Sequence, residues 1–131
     1  EQSYVLVGCD CGFVDQAGHP GGAGTVPWIL GYYVRERKVM SLMDALKKMT
    51  LLPAQRVNLT HKGEVKEGYD ADLVIFDENT IIDRATFEEP TLPPEGISYV
   101  LLNGEVVVRN NEIVNGRLGT YIPYTPAAKR G

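Results

Sequence analysis

The chain has 131 residues, with 13 Lys plus Arg, 17 Asp plus Glu and a formal charge of −4 at pH 7. This length is close to one domain and too short for a complete (β/α)8 barrel, which takes about 250 residues. The acidic balance argues against a nucleic-acid-binding surface. The sequence has neither an apolar run of about 18 residues nor a signal peptide, so we expect a cytoplasmic protein without membrane contact.

Residues 4–7 are a continuous apolar run followed by glycine, a pattern typical of a strand buried on both faces of a parallel sheet. Residues 8–24 are rich in glycine and have neither helical nor strand periodicity. Long ordered loops that follow buried strands usually carry function. The pattern therefore predicts a functional loop at the end of a buried strand.

Two helices are predicted next. Thr25 is expected to cap the first one, with Pro27 in its first turn. Its buried face is predicted to hold Val26, Ile29, Leu30, Tyr33 and Val34, which recur at helical spacing. The second helix is expected to begin after Ser41, with Asp44 three residues later in a near capping box. Its apolar positions are Leu42, Ala45, Leu46 and Met49. Pro53 either ends this helix or begins a new turn.

Beyond these helices the spacing of apolar residues changes from that of a helix to that of a strand. Strands are predicted over residues 73–76, 97–102 and 105–109, and Asn103-Gly104 is a strong hairpin signal between the last two. A second turn at Asn110-Asn111 leads into residues 112–114. The pattern predicts an antiparallel meander and divides the chain into a strand-and-helix part, residues 1–62, and a β part, residues 63–131.

Asp10 is the first candidate for chemistry, because active sites of α/β folds are built where buried strands end. A carboxylate there can bind a metal or accept a proton from a metal-bound water. The alternative is a turn or capping aspartate. His19 lies in the same loop and is a candidate for contact with metal or substrate, or an ordinary loop side chain.

Other features of the loop have weaker chemical interpretations. Cys9 and Cys11 are the only cysteines; we expect two reduced thiols, because a bond between them would close a strained loop. Metal-ligand and nucleophile roles for them stay open. The glycines that precede the helix resemble an anion-binding loop but lack the Walker spacing. His61 is expected to be exposed. Two distant histidines without further ligand motifs do not make a zinc site.

An ordered set of motifs along nearly the whole chain resembles the C-terminal third of N-acyl-D-amino-acid deacylases (D-aminoacylases) of the amidohydrolase superfamily. The matching residues are Gly8-Cys9-Asp10, His19-Pro20, Gly24-Thr25, Ser41-Leu42, Lys48-Met49-Thr50, Pro53-Ala54, Arg56, Gly63, Gly68, Ala71-Asp72-Leu73-Val74-Ile75-Phe76-Asp77, Arg84-Ala85-Thr86-Phe87 and Val100-Leu101-Leu102-Asn103-Gly104.

The resemblance implies an α+β piece that holds the last strand and helices of a metal-dependent (β/α)8 barrel, followed by antiparallel strands of a small β-sandwich. It implies that Asp10 is the catalytic aspartate, which takes a proton from a metal-activated water and passes it to the leaving nitrogen. His19, Gly24 and Thr25 are the implied substrate-binding residues. Zinc is the implied cofactor of the whole enzyme, with ligands on earlier barrel strands and none in this chain.

Two positions depart from the family pattern. Cys9 stands where the family has Ser, and Gly21 stands where the family has Arg, which opens the substrate to other amides or cyclic imides. Because the first methionine is Met40, we expect a piece of a longer protein, inactive alone, that pairs through exposed strand edges. The alternative function is a stand-alone β-rich binding or structural module.

Overall fold

The computed structural model describes residues 4–14, 17–124 and 126. Helices occupy the first half of the chain and an antiparallel sheet the second. In chain order the elements are β1 (Phe13–Val14), β2 (Ala17–Gly18), α1 (Gly21–Trp28), a π-helical continuation (Ile29–Glu36), α2 (Leu42–Met49), α3 (Leu51–Arg56), β3 (Leu73–Phe76), β4 (Ile97–Leu102), β5 (Glu105–Arg109) and β6 (Glu112–Ile113).

The prediction of a buried strand over residues 4–7 is wrong for this chain. Residues 5–12 are neither strand nor helix, and the Val5 side chain is exposed. The segment lies along α2 instead, where the Val7 N–H donates to the Lys48 carbonyl at 3.2 Å and the Lys48 Nζ donates to the Val5 carbonyl at 2.8 Å. A strand of a parallel sheet needs a neighbouring strand to bond with. The described part of the chain contains no strand that pairs with this segment.

The predicted start of the first helix is also wrong. Helix α1 begins at Gly21, with Pro20 at the N-cap position and no side-chain cap. Thr25 lies inside the helix, and its Oγ1 donates to the Gly21 carbonyl at 2.7 Å. Pro27 also lies inside the helix, where it has no N–H to donate to the preceding turn. The helix takes the π form from Ile29, two residues after Pro27.

The second helix confirms its prediction. The Asp44 N–H donates to Ser41 Oγ at 3.1 Å, and this capping bond fixes the first turn of α2. Ala45 is fully buried on the predicted apolar face. Pro53 lies in the first half of α3, so the chain begins a new helix at Leu51.

The meander is confirmed in full order, β3-β4-β5-β6, with every neighbouring pair antiparallel. Asn103 and Gly104 have φ values of 52° and 82° in the turn between β4 and β5. This left-handed backbone matches the twist of a two-residue hairpin, which is why the Asn-Gly pair predicts it.

Helices and sheet share one core around Ile81. Leu30 from the π-helical segment and Ala45 from α2 are buried against it, and Phe76 and Ile97 pack on it from the sheet. Two glycines allow this close packing. A Cβ on Gly31 would lie 2.6 Å from the Ile81 carbonyl oxygen, and one on Gly96 would lie 2.5 Å from the Ile81 nitrogen.

One side of this assembly is open. A groove of about 960 Å³ runs between helices α2 and α3 and strand β3. Exposed apolar side chains line it, namely Met43, Val57, Val65 and Val74. Strands β3 to β6 form one four-stranded sheet, and the other sheet in the described residues is the two-stranded pair β1 and β2. The described residues therefore confirm antiparallel strands in the second half of the chain.

None of the helices in the described ranges combines the length and the apolar character needed to cross a membrane.

Candidate active-site loop

Two of the predicted site residues, His19 and Thr25, lie beside Gly21, where the glycine-rich loop enters helix α1. A Cβ on Gly21 would lie 3.0 Å from His19 Nδ1, 3.1 Å from Cys11 Sγ and 3.2 Å from Thr25 Oγ1. These three side chains therefore surround a position without a side chain of its own. The bare backbone at Gly21 is what lets the loop fold against the helix start.

His19 is oriented by its own loop. Its Nδ1 accepts the Gly21 N–H at 3.0 Å, so the proton of the ring lies on Nε2 in this arrangement. The ring meets Phe87 edge-on, with centroids 5.3 Å apart. The remaining N–H of the exposed ring is therefore available to donate to a carbonyl oxygen.

Asp10 lies exposed in the extended segment between Cys9 and Cys11. An exposed carboxylate on such a segment is chemically able to accept and return a proton. Asp10 and His19 both precede helix α1 in the chain. Catalysis by Asp10 and substrate binding by His19 stay predictions.

The two thiols that flank Asp10 differ in acidity. Hydrogen bonds from Cys11 first, and then from Thr25, lower the pKa of Cys9. The hydrogen bond to Cys9 and partial burial raise the pKa of Cys11. Cys9 Sγ also donates to the Gly21 carbonyl at 3.5 Å. The structure has no bond between the two cysteines, and their reduced state stays a prediction.

Gly24 and Thr25 are part of the helix rather than of the loop. Gly24 is buried, and a Cβ there would collide with the Asp83 carboxylate. Asp83 is held by the Ala85 N–H, which donates to its Oδ1 at 2.8 Å. The structure gives Gly24 a packing role, and a substrate contact by Gly24 or Thr25 stays a prediction.

A small cavity of about 200 Å³ opens beside the loop. It is lined by Val7, Gly8, Cys9, Gly21, Gly22, Ala23, Thr25, Val26 and Met49. Cys9 and Thr25 supply its polar side chains. The cavity connects one thiol of the pair to solvent.

The loop does not form a metal centre in the described part of the chain, where no three His, Cys, Asp or Glu side chains are close enough to hold an ion. Cys11 Sγ and His19 Nδ1 lie 3.9 Å apart. That nitrogen already accepts the Gly21 N–H. The donor set of this loop therefore does not fit a structural zinc site, which takes about four ligands.

Sequence reasoning missed the contribution of Gly21 and Asp83 to this region. The Gly21-Gly22 pair after His-Pro was a signal for close backbone packing, because consecutive glycines are typical where side chains do not fit. Asp83 had no local signal, since the contact with Gly24 joins residues far apart in the chain.

Comparison with known proteins places this geometry in a family. The model of the Amidohydrolase family matches residues 8–108, most of the chain, so the chain belongs to the amidohydrolase family. The match includes the Asp10 loop, the helices, strands β3 and β4 and most of β5. It therefore argues against an independent β module.

Individual relatives narrow the comparison to one group. The chain is 38% identical to D-aminoacylase of Alcaligenes xylosoxydans xylosoxydans over 94% of its length. It is 40% identical to a solved D-aminoacylase, with a TM-score of 0.81 over 85% of this chain and 23% of that one. A structure of N-acyl-D-glutamate deacylase from Bordetella bronchiseptica with zinc and a phosphonate inhibitor matches 69% of this chain and 19% of its own at 44% identity, with a TM-score of 0.67.

These matches concern part of a larger protein. The chain spans 25% of the length of the curated D-aminoacylase. The loop, the helices and the sheet of this chain therefore correspond to about a quarter of the length of that relative.

Proposed function

We propose that this chain is the C-terminal part of a metal-dependent amidohydrolase that hydrolyses a non-peptide amide bond, with an N-acyl-D-amino acid or a related amide as substrate. The observation that carries the proposal is the similarity to D-aminoacylase over 94% of the chain, including the loop with Asp10. Three-quarters of the relative lies outside the matched region, so catalysis belongs to the longer protein.

In this proposal Asp10 is the catalytic carboxylate. It removes a proton from the attacking water and gives it to the nitrogen of the leaving amine, a role that needs an ionised group with access to both. Its exposed position at the barrel-facing loop suits this exchange. His19 is proposed to donate its Nε2–H to the substrate carbonyl oxygen, because its other nitrogen is engaged by Gly21.

Zinc is proposed as the cofactor of the whole enzyme, as in the related deacylase that was solved with it. When bound, such an ion activates water and polarises the scissile carbonyl. The donor atoms of this chain do not fit a zinc site, so the ligands are assigned to the part of the enzyme outside it.

The substrate class is the least constrained part of the proposal. The resemblance implies an arginine at position 21, and this chain has a glycine whose Cβ position is crowded by His19, Cys11 and Thr25. We therefore infer that position 21 offers no cationic side chain to a substrate carboxylate. Neutral amides and cyclic imides are included in the proposal for this reason.

The proposed organisation follows the family. Residues 1–62 close the barrel, residues 63–131 supply one half of a sandwich, and the open groove beside β3 is covered by the rest of the protein. The reduced thiols predicted from the sequence agree with a cytoplasmic location. Partners beyond a small amide substrate and a second copy of the chain are not proposed.

The test uses the longer protein that contains this chain, loaded with zinc. N-acyl-D-amino acids, their L enantiomers, acylated amines without a carboxylate and cyclic imides are compared as substrates. Asp10→Asn is expected to lower kcat about 10²- to 10⁴-fold with unchanged zinc content. Glu112→Gln, a carboxylate change on the distant strand β6, is the matched control. Normal turnover in Asp10→Asn, or hydrolysis of none of the four classes, would overturn the proposal.

A further inference from the structure

We propose that Phe87 is a positioning residue for His19, and that it holds the imidazole ring in the direction from which Nε2–H reaches a substrate carbonyl oxygen. The inference rests on the proposed function, because it explains how the proposed substrate-binding histidine keeps its orientation. It adds a residue from the second half of the chain to a site whose other residues lie before or within helix α1.

One hydrogen bond does not fix the His19 ring. The Gly21 N–H donates to Nδ1 at 3.0 Å, Cys11 Sγ approaches the same nitrogen at 3.9 Å, and the residue is exposed. The χ2 torsion of a histidine has a broad energy well, so a ring held at one nitrogen can still tilt and swing its Nε2–H. A contact on another side of the ring is needed to set the direction of that N–H.

Phe87 supplies this second contact. The two rings meet edge-on, with centroids 5.3 Å apart and planes at 86°. Aromatic rings prefer this arrangement, because the positive edge of one ring faces the negative face of the other. Phe87 is itself 73% exposed, so its ring adds little to the core. A change at Phe87 should therefore act on His19 rather than on the stability of the fold.

The backbone that carries Phe87 is held in place. The Thr86 N–H donates to the Glu89 carbonyl at 3.2 Å, and the Glu89 N–H donates to Thr86 Oγ1 at 3.0 Å, which closes a turn around Phe87. The turn belongs to a loop whose ends, Ile82 and Glu95, are joined by two backbone hydrogen bonds of 3.2 and 3.0 Å. The Phe87 ring thus stands on a fixed base, as a restraint on a neighbouring ring requires.

The same loop also contacts helix α1. The Asp83 carboxylate lies against Gly24, where a Cβ would collide with it, and its Oδ1 accepts the Ala85 N–H at 2.8 Å. Residues 83–87 therefore meet the region around the histidine at two places, Asp83 with the helix and Phe87 with the ring. The first contact fixes the distance between the loop and the helix start, and the second orients His19.

The first test measures the order of the histidine rings by NMR relaxation in the 131-residue chain, which has two histidines. Phe87→Leu is expected to lower the order parameter of the His19 ring, and Phe87→Tyr, which keeps an aromatic ring, should retain the wild-type value. The ring of His61 meets Tyr69 with centroids 6.0 Å apart, so Tyr69→Leu is the matched control and should leave His19 unchanged. Equal order of the His19 ring in the wild-type chain and in Phe87→Leu would overturn the proposal.

The second test measures turnover in the longer protein that contains this chain, loaded with zinc. Phe87→Leu is expected to lower kcat about 2- to 10-fold with a smaller change in KM, because a hydrogen bond to the carbonyl oxygen strengthens in the transition state. The loss should vanish in a His19→Gln background, since a residue that acts through His19 has no effect without it. An equal loss in both backgrounds, or a normal kcat in His19→Gln, would contradict the positioning role.

The two tests separate this inference from the proposed function. A longer protein that hydrolyses none of the proposed substrate classes would contradict the proposed function. The order of the His19 ring would still decide whether Phe87 positions the histidine.

Discussion

The sheet and the active-site loop differ in where their hydrogen-bonding partners are. Each neighbouring pair among strands β3 to β6 is close in sequence order, and each strand pairs with the next. The loop segment over residues 5–12 contacts Lys48 of helix α2 and, through its two cysteines, Gly21 and His19, and the described residues give it no neighbouring strand. All the strands that pair in the sheet are thus present in this chain. The loop has no paired strand in the described residues, and we infer that its neighbours lie in the rest of an amidohydrolase.

The mass of the chain in solution is the first test, because a chain that lacks part of its neighbours should associate through its exposed apolar side chains. Val26 and Tyr33 on the first helix are 45% and 41% exposed, and Met43 and Val65 in the groove are 71% and 90% exposed. Apolar area of this kind favours pairing with a second copy. Light scattering should give about twice the monomer mass at micromolar concentration. A monomer at every concentration would contradict the expectation.

Substitution of Gly31 tests the core that joins the helices to the sheet. A Cβ there would meet the Ile81 backbone at 2.6 Å, so Gly31→Ala should lower the free energy of unfolding by about 1–3 kcal/mol. Gly119→Ala is the matched control, because its Cβ would meet nothing within 4 Å. Equal unfolding midpoints in urea for the two variants would show that the helix does not pack on Ile81.

Gly104→Ala tests whether the turn between β4 and β5 depends on its left-handed backbone conformation rather than on packing. Space is not the constraint, since the nearest atom to a Cβ there is 3.9 Å away, but φ is +82°. An L side chain in this left-handed backbone should cost about 1–2 kcal/mol. The loss should appear as a lower urea midpoint than for Gly119→Ala. No difference between the two variants would mean that the turn is not held in this form.

The smallest effect on stability is expected from the ion pairs of Lys62 with Asp70 and Asp72, which join the loop before β3 to the sheet. Lys62 bonds to Asp70 at 2.8 Å and also to Asp72, which accepts the Asn103 N–H at 2.9 Å. The Lys62 ammonium first, and then the Asn103 N–H, lower the pKa of Asp72 from its ordinary 3.8. The contribution of Asp72 to stability is therefore complete above that value and is lost as pH falls through the lowered pKa.

Because these side chains are partly exposed, the contribution should stay below about 1 kcal/mol. Denaturant unfolding between pH 6 and pH 2 should show a steeper acid loss for the wild-type chain than for Asp72→Asn. The same variant at Asp70, whose carboxylate lacks the Asn103 bond, is the comparison. If the free energy of unfolding fell equally with pH in the wild-type chain and in Asp72→Asn, the interactions of Asp72 would not stabilise the fold.

The elements that the sequence predicted correctly carry their own signals. Ser41 caps α2 through a bond three residues away, and Asn103-Gly104 sets its turn by backbone conformation alone. The strand over residues 4–7 failed because its apolar pattern anticipates sheet neighbours that the described residues do not contain. Thr25 failed as a cap because Pro20 already fixes the backbone at the helix start. His19 and Thr25 meet Gly21 from two and four residues away, where the Gly21-Gly22 pair is a local signal. The contact of Gly24 with Asp83 had no such signal, because the two residues are far apart in the chain.

Hydrogen exchange of residues 5–12 tests the account most directly, measured in this chain alone and in the longer protein that contains it. We expect fast exchange in the chain alone, slow exchange of strands β4 and β5 in both, and marked protection of residues 5–12 only in the longer protein. This result would show that the Asp10 loop is completed by barrel strands outside the chain. Equal exchange of residues 5–12 in the two proteins would contradict the account.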